Sequence, residues 1–229
     1  MNILSLFNGG ETKHRGTPWG AGLVAHETDD MIANGMGRLM TVGAFATGVG
    51  GGAAAIIDID QPQFVVGVPT GYAIRPVRIS AQVQEGLAAA DNEESQILFA
   101  VDSKGLWSLD GTRTAEFASN MRTELGVGSI CLTASAFSAD MTTTQPGIAA
   151  ADPVLDMELA RAVKTTDVMG TATTVFMKAL DLVYEPRHAP LIVGPATLIG
   201  YWGGTVEPIG GFAQVAWVEG RTGDFFRRA

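Results

Sequence analysis

The chain has 229 residues, of which 46% are hydrophobic and 17% are charged, and its formal net charge at pH 7 is −9. No block of Lys or Arg appears, which argues against nucleic acid as the main partner, and no apolar run reaches the roughly 18 residues of a membrane span. The charged fraction lies below the roughly 25% of an ordinary soluble domain. We therefore expect neighbouring subunits to cover part of the surface. A compact domain with many small residues is the alternative, because 29 glycines inflate the apolar count.

Residues 1–52 are predicted to form an extended, Gly-rich arm, because glycine at this density opposes the interiors of helices and strands. One short helical turn is expected near residues 29–40. The first residues lack a basic leader, so we expect no signal peptide. The arm carries large apolar side chains, which favours order against a neighbouring subunit over disorder. The candidate interface anchors are Trp19, Phe7 and Met36 in the arm, with Phe225 and Phe226 near the C-terminus.

From Ala53 onward the sequence predicts strands. Residues 77–84 and 154–164 alternate apolar and polar side chains, which is typical of half-buried strands. In the second run, Leu155, Met157, Leu159, Arg161 and Val163 are predicted to share one face. Further strands are expected at 53–60, 64–68, 96–101, 106–109, 129–138, 173–184, 197–202 and 212–219.

A helix is predicted over residues 114–125. Thr114 can cap its start, Phe117, Met121 and Leu125 recur at a spacing of four, and Gly126 can end it.

The strand series shows no alternation of strand and helix, so a parallel sheet is not expected. A strand series of this length, with about eight or nine strands of regular size, favours two packed antiparallel sheets. The predicted fold is therefore all-β. It consists of an antiparallel β-sandwich of the jelly-roll type over residues 53–229, with an extended N-terminal arm and one short helix.

The residues that carry chemistry are few. The three histidines are far apart, and Cys131 is the single cysteine, in an apolar run that favours a buried, inert thiol. Acidic residues recur at 27–30 and as the pair Asp58 and Asp60. They fit solvated turns and a helix start better than a cation site, although cation binding stays open. We expect no catalytic residue, no metal and no cofactor, and hence no enzyme.

Three tryptophans, Trp107, Trp202 and Trp217, fall in predicted strands or turns. Aromatic side chains in a β-sandwich usually belong to the core. A sugar-binding platform is the alternative interpretation.

The Gly-rich arm, the strand series and the closing hairpin of residues 195–204 and 212–219 together resemble a family of virion proteins. These are the jelly-roll cement or decoration proteins of tailed bacteriophages, which sit on a capsid lattice, often as trimers. The resemblance implies a structural virion protein that forms a homotrimer on a major capsid protein. It would be located in the capsid, be assembled in the host cytoplasm, and contact neither nucleic acid nor membrane directly.

Three alternatives stay open. The chain could form the shell itself as a single-jelly-roll capsid protein, or act as a carbohydrate- or receptor-binding module on a tail. A metal-dependent jelly-roll enzyme is the remaining alternative, although the sequence has no His-x-His pair to ligate its metal.

Overall fold

The computed structural model describes residues 6–7, 10–11, 15–16, 22–23, 27–43, 48–49, 57–59, 61–84, 93–105, 107–108, 113–126, 128–137, 141–143, 155–166, 179–204 and 210–226. The first elements in chain order are β1 (Leu6–Phe7), β2 (Gly10–Glu11), β3 (Arg15–Gly16), β4 (Gly22–Leu23), α1 (Glu27–Ala33), β5 (Gly37–Val42), β6 (Phe64–Val68), β7 (Tyr72–Gln84) and β8 (Glu93–Asp102). The remaining ones are β9 (Trp107–Ser108), β10 (Thr114–Ala115), β11 (Ala118–Asn120), β12 (Leu132–Ser135), β13 (Thr142–Thr143), β14 (Met157–Thr166), β15 (Ala179–Tyr184), β16 (Ile192–Val193), β17 (Ala196–Gly204), β18 (Gly210–Arg221) and α2 (Thr222–Phe226).

Two six-stranded antiparallel sheets pack face to face as a sandwich. The first sheet has the order β10-β12-β6-β17-β8-β14, and the second has the order β11-β5-β18-β7-β15, with β16 also paired to β7. Numbered one to eight along the chain, the principal strands are β5, β6, β7, β8, β14, β15, β17 and β18. They form one sheet in the order 1-8-3-6 and the other in the order 2-7-4-5. This is the strand order of a jelly roll, so the predicted fold class is confirmed.

An insertion between β8 and β14 closes one side of the sandwich. Within it, β12 extends the first sheet beyond β6, and β11 extends the second sheet beyond β5. Residues 114–120 cross from the first sheet, where β10 pairs with β12, to the second. The helix predicted over residues 114–125 is therefore wrong. Its apolar spacing of four is a coincidence, because Phe117 is 73% exposed and the segment takes its hydrogen bonds from strand neighbours.

The core lies between the sheets and is apolar. Phe64, Phe99 and Trp202 from the first sheet form a contiguous aromatic group, and they meet Trp217 and aliphatic residues of the second. Both outer faces are also partly covered, one by the insertion and one by the two helices. All nine residues of β17 are consequently buried, which explains why this strand reads as a continuous apolar run and not as an alternation.

Helix α1 and strand β5 belong to the sandwich. Gly35 adopts a positive φ of 80° and ends the helix with the paired hydrogen bonds of a Schellman motif, from Gly35 N to Ile32 O and from Met36 N to Met31 O. The chain then enters β5, which pairs with both β18 and β11. The predicted arm boundary at residue 52 is thus wrong, because residues 37–42 supply the first strand of the jelly roll. Neither helix of the described ranges is long and apolar enough to cross a membrane.

Strand β14 departs from the predicted alternation. Its register against β8 shifts between Glu158 and Ala160, which marks a β-bulge. Beyond the bulge, Ala160 and Ala162 pack against the core, whereas Val163 is half exposed. The predicted shared face is wrong, because Leu155 packs against the outer cluster of the first sheet, whereas Leu159 packs against the core between the sheets.

Candidate contact surface

The five predicted interface anchors fall into two groups. Met36 and Phe225 pack with Met31 and Val218 in the small cluster that the helices form on the second sheet, and Phe225 is only 8% exposed. Phe7 lies in β1 and Phe226 in α2, but their side chains are outside the described residues, as is all of Trp19. Their interface role stays a prediction.

The tryptophans of the sandwich are core residues. Trp202 and Trp217 are completely buried, and their indole nitrogens donate to Val49 O at 3.0 Å and to Glu219 Oε2 at 3.1 Å. Neither can stack on a sugar from solvent. Trp107 lies in β9, and its side chain is not described. In the part of the chain that the structure describes, no group of three or more His, Cys, Asp or Glu side chains converges on a point where a metal ion could bind.

Among the described residues, four of the nine large apolar side chains that are exposed lie on the insertion. Phe117, at the corner between β10 and β11, is the most exposed of them at 73%, and Met121, Ile130 and Leu132 follow it along the chain. Phe117 lies over Gly128, where an added Cβ would be 3.9 Å from its ring. Phe117, Met121, Ile130 and Leu132 are here called the apolar patch of the insertion.

A shallow groove of about 240 Å³ lies beside this apolar patch. Ile130 and Leu132 form one wall. The other lining residues are uncharged glycine, proline, alanine, valine and threonine residues. The lining residues are Gly67, Val68, Pro69, Gly105, Ile130, Leu132, Pro195, Ala196 and Thr197. An uncharged, open groove of this size accommodates an apolar side chain from another chain better than it accommodates an ionic ligand.

Beneath the groove wall, a buried ion pair links the two ends of the sequence. Arg38 Nε on β5 lies 2.7 Å from Glu219 Oε1 on β18, and the two side chains are 6% and 2% exposed. Arg38 Nη1 also donates to the backbone oxygens of Gly35 and Gly37 at 2.8 and 2.9 Å. Such a pair is tolerated inside a protein only when hydrogen bonds replace the lost water.

Glu219 fulfils that condition through the insertion. Its Oε2 accepts from Ser129 Oγ at 2.6 Å, and its Oε1 accepts from the Ile130 amide at 3.0 Å. Next to them, burial raises the pKa of the Cys131 thiol strongly, and the Glu219 carboxylate adds to the effect. Cys131 therefore stays protonated and inert at neutral pH, as the sequence suggested.

The opposite side of the sandwich ends in two edge strands, β14 in the first sheet and β15 in the second. The bulge in β14 and the ion pair of Arg161 with Glu158 at 2.9 Å are features that discourage edge-to-edge pairing. Three exposed apolar side chains, Met157, Val163 and Val183, also lie on these two strands, beside the bulge and the ion pair.

Arg38 and Glu219 were not predicted from the sequence, although their positions in the strand pattern carry a signal. Glu219 follows Ala213, Val215 and Trp217 at alternate positions, all on the inward face of β18. Arg38 precedes Met40 and Val42 in the same way on β5. A charge at an inward position of an apolar strand predicts a buried partner of opposite sign, but the sequence does not identify that partner.

Comparison with known proteins gives no relative. No family model matches the chain, and neither a curated protein nor a solved structure matches it.

Proposed function

We propose that the chain is a structural subunit of a virion, which stabilises a capsid lattice as a cement or decoration protein by packing against copies of itself and against the major capsid protein. The jelly-roll strand order supports this proposal, because capsid proteins are one of the main classes built on it. The low charged fraction of 17% supports it as well, since neighbours would cover the weakly charged surface.

The exposed apolar patch of the insertion is the observation on which the proposal depends. Phe117 presents about three quarters of its surface to solvent, next to an uncharged groove walled by Ile130 and Leu132. A projecting aromatic residue and an apolar groove on the same chain are the two halves of a head-to-tail contact. A head-to-tail contact whose rotation closes forms a ring, and a trimer is the smallest ring beyond a dimer.

The second candidate is a single-jelly-roll protein that forms the shell itself, which the same strand order favours. A carbohydrate-binding role is less favoured, because Trp202 and Trp217, two of its candidate platforms, lie inside the core.

The test is to purify the full chain and measure its mass by light scattering and its shape by electron microscopy. Small rings that bind a capsid lattice without closing into shells would support the cement role. Closed particles from the purified chain alone would select the shell role, and a monomer that binds no lattice would refute both.

The N-terminal segment is tested by a shortened chain that begins at Glu27, since α1 packs on the second sheet and β5 is a strand of that sheet. If residues 1–26 reach a neighbouring subunit, this variant folds normally but assembles poorly. Normal assembly would remove the arm from the proposal.

A further inference from the structure

Residues 128–131, here called the strap, connect the two sheets at one end of the sandwich. They lie outside strands and helices, and they lead directly into β12 of the first sheet. Ser129 and Ile130 bond to Glu219 on β18 of the second sheet, and Cys131 belongs to the core between the sheets. The strap thus covers the core where the sandwich would otherwise be open.

The polar contacts of the strap to the second sheet converge on a single carboxylate. The hydrogen bonds from Ser129 Oγ and the Ile130 amide both end on Glu219, and the Cys131 amide donates back to Ser129 Oγ at 3.0 Å. Because Ser129 and Ile130 are adjacent and their bonds end on one carboxylate, while the third bond lies within the strap, we expect the two bonds to Glu219 to break together.

Glu219 itself does not depend on the strap for its position. Arg38 Nε lies 2.7 Å from it, and Trp217 Nε1 donates to it at 3.1 Å, both from strands of the second sheet. If the strap leaves, the carboxylate keeps its cationic partner and water replaces the two lost donors. Departure of the strap therefore leaves no buried charge unpaired, which is the condition that usually makes such a rupture costly.

We propose that the strap is a latch that opens locally, as a unit, while the sandwich stays folded. Opening exposes the Cys131 thiol to solvent and displaces Ile130 from the wall of the groove, so the latch sets whether the groove is formed. This inference concerns the chain's own conformational equilibrium and stands whether or not the proposed virion role is correct. Local openings of this kind have free energies well below that of global unfolding.

The experiment uses the labelling rate of Cys131, the single cysteine of the full chain, with 5,5′-dithiobis(2-nitrobenzoic acid). For a local opening, the rate in the unmodified protein depends only weakly on low urea concentrations, because little surface is exposed. Glu219→Gln is expected to raise the rate at least tenfold while circular dichroism shows an unchanged β-sheet spectrum. Ser129→Ala removes one of the two bonds to Glu219 and also the acceptor of the Cys131 amide, but it leaves the Ile130 bond, so it is expected to raise the rate less.

The control is Glu185→Gln, which alters an exposed pair with Arg78 at 4.0 Å far from the strap and is expected to leave the rate unchanged. Labelling that follows the full urea dependence of global unfolding would overturn the latch. An unchanged rate in Glu219→Gln would also overturn it. Should that variant fail to fold, the urea dependence of the unmodified chain and the rate of Ser129→Ala decide the question.

Discussion

Replacing Phe117 with serine separates association from folding, because the side chain is 73% exposed in the single chain. A phenylalanine buries about 150–250 Å² when fully covered, so roughly 150 Å² stays available to a neighbour. At about 25 cal/mol per Å², covering that area gives close to 4 kcal/mol. Immobilising the ring costs about 0.5–1.5 kcal/mol. The net loss expected for Phe117→Ser is about 3 kcal/mol per contact, or about 100-fold in Kd.

The assay is sedimentation velocity over a concentration series, with urea unfolding as a parallel measurement. An exposed substitution changes the free energy of unfolding by less than about 0.5 kcal/mol, so the variant should unfold like the parent. Val183→Ser, at an exposed position on the opposite edge, is the matched control and should assemble normally. If Phe117→Ser assembles with the parental Kd, the insertion is not the contact surface. Equal weakening by both variants would show that association is non-specific.

Three further outcomes are expected. Gly200→Ala should destabilise the fold by about 1–3 kcal/mol or more in urea unfolding, because the new Cβ would overlap the buried ring of Phe64. Gly126→Ala, with nothing within 4 Å of its Cβ, should stay within about 0.5 kcal/mol of the parent, and a similar loss in both variants would contradict this packing argument. Deleting residues 1–52 should abolish cooperative unfolding, since the deletion removes β5, and a stable truncated body would contradict the strand order. Because the pKa of Cys131 is raised in the folded chain, its contribution to the free energy of unfolding should be complete below pH 9.0 and should fall above it. Above that pH the unfolded chain loses the thiol proton and the folded chain keeps it. Measured from pH 8 to 10, that slope should be shallower in Cys131→Ala, and equal slopes would contradict the burial of the thiol.

The fold class could be predicted from the sequence because a strand with one solvated face alternates apolar and polar residues. The alternation of residues 77–84 predicted part of β7, and the absence of helices between strands excluded a parallel sheet. The strand at 64–68 was also predicted, from a short apolar run with a turn after it.

The errors have physical causes that lie in tertiary contacts. The apolar spacing from Phe117 to Leu125 imitates a helix, but β12 and β5 offer unpaired strand edges on either side, and pairing with them wins. Glycines at 35 and 37 suggested an arm, whereas Gly35 ends α1 and Gly37 leads into β5, with Ile32 and Met121 against its Cα. The bulge in β14 depends on its partner strand and leaves no mark in the sequence.

The candidate surface was largely hidden from the sequence. Phe117 is exposed because it lies at a corner between two sheets. From the sequence alone, an isolated aromatic residue is usually assigned to the core. The pairing of Arg38 with Glu219 joins residues from opposite ends of the chain, and only the adjacency of β5 and β18 brings them together.

The molar mass of the purified full chain, measured by multi-angle light scattering over a hundredfold range of concentration, tests the central claim most directly. Association through the apolar insertion predicts a defined oligomer, with a mass of three or more times 23.9 kDa that Phe117→Ser lowers. A single species of 23.9 kDa that stays soluble at the highest concentration would contradict it.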